Sequence, residues 1–367
     1  MSILTSPHFR NASADAIVSL ARRLIAFQNT SAERINCCTD YCTDWLRQHG
    51  LAVRCYEHGG LKSLVAELGT GDPVVVLNGH LDVVPASPEE FIPYVEDGRL
   101  FGRGSYDMLG SVAAMMVLMS ELATRPPDCR VVLKLVPDEE SGGELGTGHL
   151  VRQLGLVGDV AICGEPTNLN IAVQAKGILQ VTIDVPGLAA HGSRPWLGKN
   201  AILEALRHFQ AIASLRFFQE STPFFPQPSL NLAKIQAGTV FNQVPDLCRL
   251  SIDIRYLPGQ DPAAILAAIR EAVPQSEVNV HFEGSPVNTQ ISDRWVKKLR
   301  HHAGSHFFGQ DGSADTRFYA EQGIPAVEFG PSGANHHGPG EYVLIDSMLR
   351  YKEILKEFIT HIREEEQ

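Results

Sequence analysis

Cysteine is scarce, and its pattern carries no framework. The 367 residues hold seven, at positions 37, 38, 42, 55, 129, 163 and 248, an odd number at irregular spacing with no CxxC pair. That excludes a disulfide-stapled secreted domain and suits reduced thiols inside a cell. Cys37, Cys38 and Cys42 come nearest to a metal-binding cluster, but Ile35, Cys38, Cys42 and Trp45 fall on one face of a helix-like stretch, where cysteine packs as a small hydrophobe. Long apolar runs are missing too, since no stretch approaches the ~18 residues of a membrane-crossing helix. The opening MSILTSPHFRNASADAIVSL lacks a basic head, an apolar core and a small-residue cleavage site. A cytoplasmic location without a membrane partner is expected. Positive charge is in deficit: 31 Lys and Arg stand against 42 Asp and Glu, a formal net charge of −11. Nucleic acid needs the opposite balance and is excluded as a partner. The glycines at 142, 143, 146 and 148 form no GxGxxG, no Gly-Lys-Ser/Thr follows them, and GxSxG is absent. Phosphate cradling and a serine-hydrolase elbow therefore lack support.

What is present is a soluble globular composition, 44% hydrophobic and 20% charged, in a chain long enough for two domains. Apolar spacing predicts helices over 13–27, after a Ser13 cap, and over 31–49, closed by Gly50. Strands are expected at 51–56, 64–68, 74–80, 130–136 and 160–163, with helices at 108–123 and 144–154 between the later ones. Val74 to Leu77 shows no alternation, as in a central strand covered on both faces. Near residue 178 the texture changes: Leu179, Val181, Ile183 and Val185 alternate with polar residues, as do Leu250, Ile252, Ile254 and Tyr256. Period-two alternation marks half-buried antiparallel strands. With helices at 199–214 and 261–273, residues 178–290 read as an α+β domain inserted into an α/β domain of 1–177 and 291–367, whose central sheet is mostly parallel. A helix from about 291, a strand at 326–329 and a final helix at 346–364 complete the larger domain.

Three acidic or histidine-containing segments fall where strands end: Asn78-Gly79-His80-Leu81-Asp82, Asp138-Glu139-Glu140-Ser141-Gly142-Gly143 and Gly164-Glu165-Pro166-Thr167. A fourth, Gly102-Arg103-Gly104-Ser105-Tyr106-Asp107, leads into a helix. Open α/β sheets bind ligands beyond the carboxyl ends of their strands. If the segments converge, Asp82, Asp107, Glu139, Glu140 and Glu165 share one cleft, where like charges cannot all stay ionised without a counter-charge. A divalent metal supplies it, and His80 with a late histidine completes a nitrogen and oxygen set suited to zinc.

In combination these motifs resemble the two-zinc aminoacylase and carboxypeptidase family that includes acetylornithine deacetylase, succinyl-diaminopimelate desuccinylase and glutamate carboxypeptidase. The likeness covers nearly the whole chain. It implies a zinc-peptidase-like catalytic domain with two Zn2+ per subunit, Co2+ or Mn2+ being able to substitute. It further implies that His80 and Glu165 bind one ion, Glu140 and His337 the other, and that Asp107 bridges them. Asp82 matches the carboxylate that orients the histidine ligand, and Glu139 the general base. Of the adjacent His336 and His337, Glu341 four positions on selects His337, with His336 the alternative. Leu109-Gly110-Ser111 departs from the Lys-Gly-Gly that many members carry.

The inserted segment adds Ala190-His191-Gly192-Ser193, Asn242 and Arg255. In the family such a domain pairs two subunits and acts as a lid, its histidine reaching the neighbour's site to steady the oxyanion. The resemblance thus implies a homodimer. Asn242 and Arg255 are candidates for holding a substrate carboxylate, arginine being able to bind one bidentately. The expected reaction is hydrolysis of the amide bond of an N-acyl amino acid, with acetylornithine-deacetylase-like activity foremost. The alternatives are a carboxypeptidase, dipeptidase or desuccinylase of the same chemistry and, from another class, a non-catalytic binding protein on this scaffold.

Overall fold

The computed structural model describes residues 7–364, with side chains from residue 12 onward. The chain divides into two compact units. The larger takes the chain up to Val173, Thr289–Phe308 and the chain from Ala314 onward; the smaller takes Gln174–Asn288 with Gly309–Ser313.

In the larger unit four parallel strands form the middle of a mixed sheet, in the order Arg130–Val136, Val74–His80, Val160–Cys163, Ala326–Glu328. Ala52–His58 and Leu61–Leu68 extend it antiparallel on one side, and Ile171–Ala175 on the other. Every residue of Val74–His80 is buried, as its unbroken apolar run requires of a strand covered on both faces. One face packs on Leu150, Val151, Phe318 and Tyr319. A small four-stranded sheet, Gly333–Ala334, Tyr342–Leu344, Arg99–Phe101 and Tyr94–Glu96, lies apart from it. Its strands of two or three residues are too short to leave a periodic signal.

Three expectations are corrected here. The first helix runs Pro7–Ile25, beginning before the supposed Ser13 cap. The helix expected at 144–154 is shorter, running over 147–153 and taking π-type geometry at His149–Gln153. The turn before it is held by Asp138, whose Oδ2 accepts the Leu145 N–H at 2.8 Å, and a Cβ on Gly146 would meet Asp138 Oδ1 at 2.5 Å. The third concerns membrane length. Ser105–Thr124 has 20 residues of mean hydropathy 1.3, enough by length and composition to cross a membrane, but 78% of it is buried inside the protein. It is apolar all round because Gly110–Thr124 is a core helix, with every residue from Gly110 to Met119 buried.

The smaller unit is an antiparallel sheet in the order Ser229–Ala237, Leu247–Tyr256, Gly177–Pro186, Glu277–Gly284. Leu179, Val181, Ile183 and Val185 face the same core as Leu250, Ile252, Ile254 and Tyr256, the outcome that alternation predicts. Helices Ala201–Ala213 and Pro262–Ala272 are N-capped by the side chains of Asn200 and Asp261. Ser229–Ala237 and Glu277–Gly284 escaped notice in the sequence, because these edge strands expose most of both faces.

Candidate metal centre and active site

The parallel strands deliver chemistry to one edge. His80 ends its strand, Asp138–Glu140 follow Arg130–Val136, and Glu165 follows Val160–Cys163. Register places His80 beside Val136 and Asn78 beside Cys163, so these ends lie next to one another. Asp107 arrives from the irregular turn Ser105–Leu109, and His336 and His337 from the loop between Gly333–Ala334 and Tyr342–Leu344.

The two oxygens of Asp107 face different partners. Oδ1 lies 3.0 Å from His80 Nε2, whose other near neighbour is Glu165 Oε2 at 4.0 Å. Oδ2 lies 2.6 Å from His336 Nε2 and 3.1 Å from His337 Nε2. His337 Nε2 also meets Glu140 Oε1 at 3.0 Å. Two donor groups result, His80/Asp107/Glu165 and Asp107/His336/His337, each with ligand atoms within 4.8 Å of one another. They share Asp107. Asn335 and His337 have φ of 62° and 58°, left-handed conformations that cost about 1–3 kcal/mol for a residue with a Cβ.

Asp82 does more than stand beside His80. His80 Nδ1 lies 2.9 Å from the Asp82 main-chain oxygen, while the Asp82 carboxylate accepts the N–H groups of Glu139 and Glu140 at 3.1 and 2.9 Å. One residue thus orients an imidazole and the turn that carries Glu139 and Glu140.

Charge in this cluster is unbalanced. Asp82, Asp107, Glu140 and Glu165 each have an imidazole as ionic partner. Burial pushes the Glu139 and Glu165 carboxyls well above the ordinary range. His80 works against that rise, and neighbouring carboxylates add to it. Burial also opposes ionisation of Asp107, yet His336, His337 and His80 together hold its pKa well below ordinary. For His80, burial is outweighed by Asp107 and Asp82, and its pKa lies well above ordinary. Bonds to Asp107 and Glu140 raise His337 to about 10. Buried carboxylates crowded beside imidazoles at donor-atom spacing fit a divalent cation, which would supply the missing counter-charge.

The signs give a pH prediction. In the metal-free protein, the stabilisation from protonated His337 is complete below the ordinary histidine value of 6.5 and is lost as pH rises through about 10. The raised carboxyls of Glu139 and Glu165 likewise make the fold lose stability as pH climbs above their ordinary range. Asp107, shifted down, loses its contribution as pH falls below the ordinary aspartate range. Metal binding displaces the extra protons, so zinc should raise the melting temperature more at pH 8 than at pH 6, with protons released on binding. Calorimetry in buffers of different ionisation enthalpy checks this. A zinc-induced shift that is the same at both pH values would contradict it.

In the smaller unit, Gly192 N–H donates to Asn242 O at 2.7 Å and Val244 N–H to Ala190 O at 2.8 Å, so the His191 and Asn242 loops run together. A Cβ on Gly192 would sit 3.0 Å from the Asn242 backbone, which explains the glycine. His191 is exposed, its Nδ1 2.8 Å from Ser193 Oγ. Arg255 is committed to Asp253, with Nε 2.8 Å from Oδ1. Sequence reasoning missed this partner, although Asp253 stands two residues away on the same face of an alternating strand.

Peptidase family M20/M25/M40 matches residues 76–361. The chain belongs to this family. Among its relatives, the succinyl-diaminopimelate desuccinylase of Stenotrophomonas maltophilia strain K279a is 30% identical over 361 residues, covering 91% of this chain and 95% of the relative. That of Xanthomonas euvesicatoria is 31% identical over 330 residues, 82% and 86% of the two chains. The solved aminopeptidase PepT of Bacillus cereus has a TM-score of 0.81 at 18% identity, covering 95% of this chain and 98% of the other. An M20 metallo-carboxypeptidase of Sulfolobus solfataricus scores 0.77 at 17%, covering 94% and 98%. At such identities the structures speak for the fold. This M20 chain is a metal-dependent hydrolase acting on amide bonds of acylated amino acids or peptides. Both of these curated relatives are desuccinylases, which favours the desuccinylase alternative over the acetylornithine-deacetylase-like activity expected first from the sequence.

Proposed function

We propose that the chain hydrolyses the amide bond of an N-succinyl amino acid bearing a free α-carboxylate. The observation that carries the hydrolytic part is the Asp107 carboxylate, one oxygen turned to His80 and the other to His337. The succinyl part rests on the desuccinylase relatives and replaces the acetylornithine reading. His80 and Glu165 would hold one zinc ion and Glu140 and His337 the other, with Asp107 contributing to both. His337 is favoured over His336 because it reaches both Asp107 and Glu140.

When bound, such a pair acidifies a water molecule and polarises the scissile carbonyl. Glu139 takes the proton of the attacking water on its carboxylate and passes it to the leaving nitrogen. Its raised pKa suits a group that must hold that proton between the two steps. Asp82 keeps His80 and the Glu139 turn in register. His191 would donate to the carbonyl oxygen as charge builds there. Asn242 and Arg255 would hold the α-carboxylate, Arg255 sharing its guanidinium between substrate and Asp253.

A screen of zinc-loaded protein against N-succinyl amino acids, N-acetyl amino acids including N-acetylornithine, and di- and tripeptides tests the substrate. The best N-succinyl compound should lead in kcat/KM by at least about tenfold. A lead by N-acetylornithine or by a peptide would overturn the assignment.

The smaller unit would join two chains. Its edge strand Ser229–Ala237 has an open side, and Leu203, Leu206, Ile235 and Leu247 are exposed apolar residues, a pattern that exposed edges seldom keep without a partner. If His191 serves the neighbour's site, mixing inactive His191→Ala with inactive Glu139→Gln chains should restore part of the activity. Absence of recovery despite demonstrated subunit exchange would refute action across the interface.

A further inference from the structure

Glu341 lies in the loop that carries the late histidines, and its side chain is fully enclosed. Its oxygens take four donors. Oε1 accepts the main-chain N–H groups of Tyr106 and Asp107 at 2.9 and 3.0 Å. Oε2 accepts Gly104 N–H at 3.1 Å and Arg103 Nη1 at 2.6 Å. The second fork of Arg103, Nη2, donates to Gly338 O at 3.0 Å and to Glu90 at 3.4 Å. Sheet register brings this about, because Tyr342 pairs with Phe101, and Gly102 N–H donates to Glu341 O.

The pair therefore ties together the two loops whose ends bring Asp107 to His336 and His337. One carries Asp107, and the other carries His336 and His337, with Gly338 immediately after. A buried ion pair is a poor source of net stability, since desolvation consumes most of the attraction. This one also leaves Arg103 Nε buried without a hydrogen-bond partner, a further cost. Burying it buys geometry instead.

We propose that Arg103 and Glu341 are positioning residues that clamp the Asp107 loop to the His337 loop, so that the distance between Asp107 and His337 is set by their contact. The inference rests on the metal-centre reading above. Glu341→Gln turns an NH2 toward at least one pair of N–H donors, which loosens the Asp107 loop. Arg103→Lys keeps a positive charge beside Glu341 but cannot reach Glu341 and Gly338 in one planar fork.

The test uses full-length wild type, Glu341→Gln and Arg103→Lys, each depleted of metal and titrated with Co2+. Visible absorption of the bound ion and competition with a chelator are read, and circular dichroism monitors the fold. Partners behind metal ligands typically govern affinity by ~10–100-fold, and a loss in that range is expected for Glu341→Gln, with a changed cobalt spectrum in the folded protein. Arg103→Lys should change the spectrum in the same sense by a smaller amount, and it decides the matter if Glu341→Gln fails to fold. Folded variants with wild-type cobalt affinity and spectrum, even if lower-melting, would overturn the clamp while leaving the metal centre standing. A wild type that binds no cobalt would overturn the metal centre and the clamp with it.

Discussion

Glu139→Gln is expected to bind metal as wild type does and to lose hydrolysis by at least ~10²–10⁴-fold, the range that a general base usually contributes. The amide matches the carboxylate in size, so the turn that Asp82 holds through the Glu139 and Glu140 N–H groups should persist. What disappears is a site for the proton. Burial and surrounding carboxylates push the Glu139 carboxyl well upward, which favours a group that can hold the water's proton, and glutamine has no counterpart to that protonated form. Wild-type turnover by the variant would remove Glu139 from the mechanism. Loss of metal together with turnover would mean that Glu139 serves the ions rather than the water.

Asp107→Asn should have the broader effect, because both donor groups depend on this residue. Asparagine offers one neutral oxygen where aspartate offers two charged ones, so at most one side keeps its partner. His80 would then lose its strongest anionic contact, and His337 one of its two. The expected outcome is loss of metal from both positions and hydrolysis at background. His337→Ala, by comparison, should cost metal on the Glu140 side and spare His80/Asp107/Glu165. Metal content of the three proteins, measured by plasma emission after identical zinc loading and desalting, distinguishes these outcomes. If Asp107→Asn retained as much zinc as His337→Ala, the shared role of Asp107 would be wrong.

Much of the catalytic frame was legible because local rules and tertiary demands agreed there. Val74 to Leu77 is apolar without alternation, and the strand is buried throughout. Polar residues at strand ends could be assigned to one cleft because parallel strands share an edge. The smaller unit's core strands were legible for the opposite reason, a clean alternation. Where contact chemistry overrode local pattern, the sequence was silent. The helical texture of 144–154 is realised only from 147 on, because Asp138 holds the preceding turn by accepting the Leu145 N–H. The apolar length of Ser105–Thr124 is a property of the core and not of a membrane. Glu341 marked the register of the late histidine in the sequence, yet nothing in that spacing announces four donors converging on its carboxylate from Gly104, Tyr106, Asp107 and Arg103. Long-range pairing of this kind, more than 230 positions apart, leaves no periodic trace. Asp315 is similar: it lies buried under the site against Thr147 and Asn78, its carboxyl pushed up to about 6 by burial.

The central claim is that Asp107 lies between two metal ions. Anomalous X-ray scattering at the zinc edge, from crystals of the zinc-loaded protein, measures that directly. The account predicts two peaks flanking the Asp107 carboxylate, one within bonding distance of His80 and Glu165 and the other of Glu140 and His337. A single peak, or peaks that leave Asp107 unligated, would contradict it.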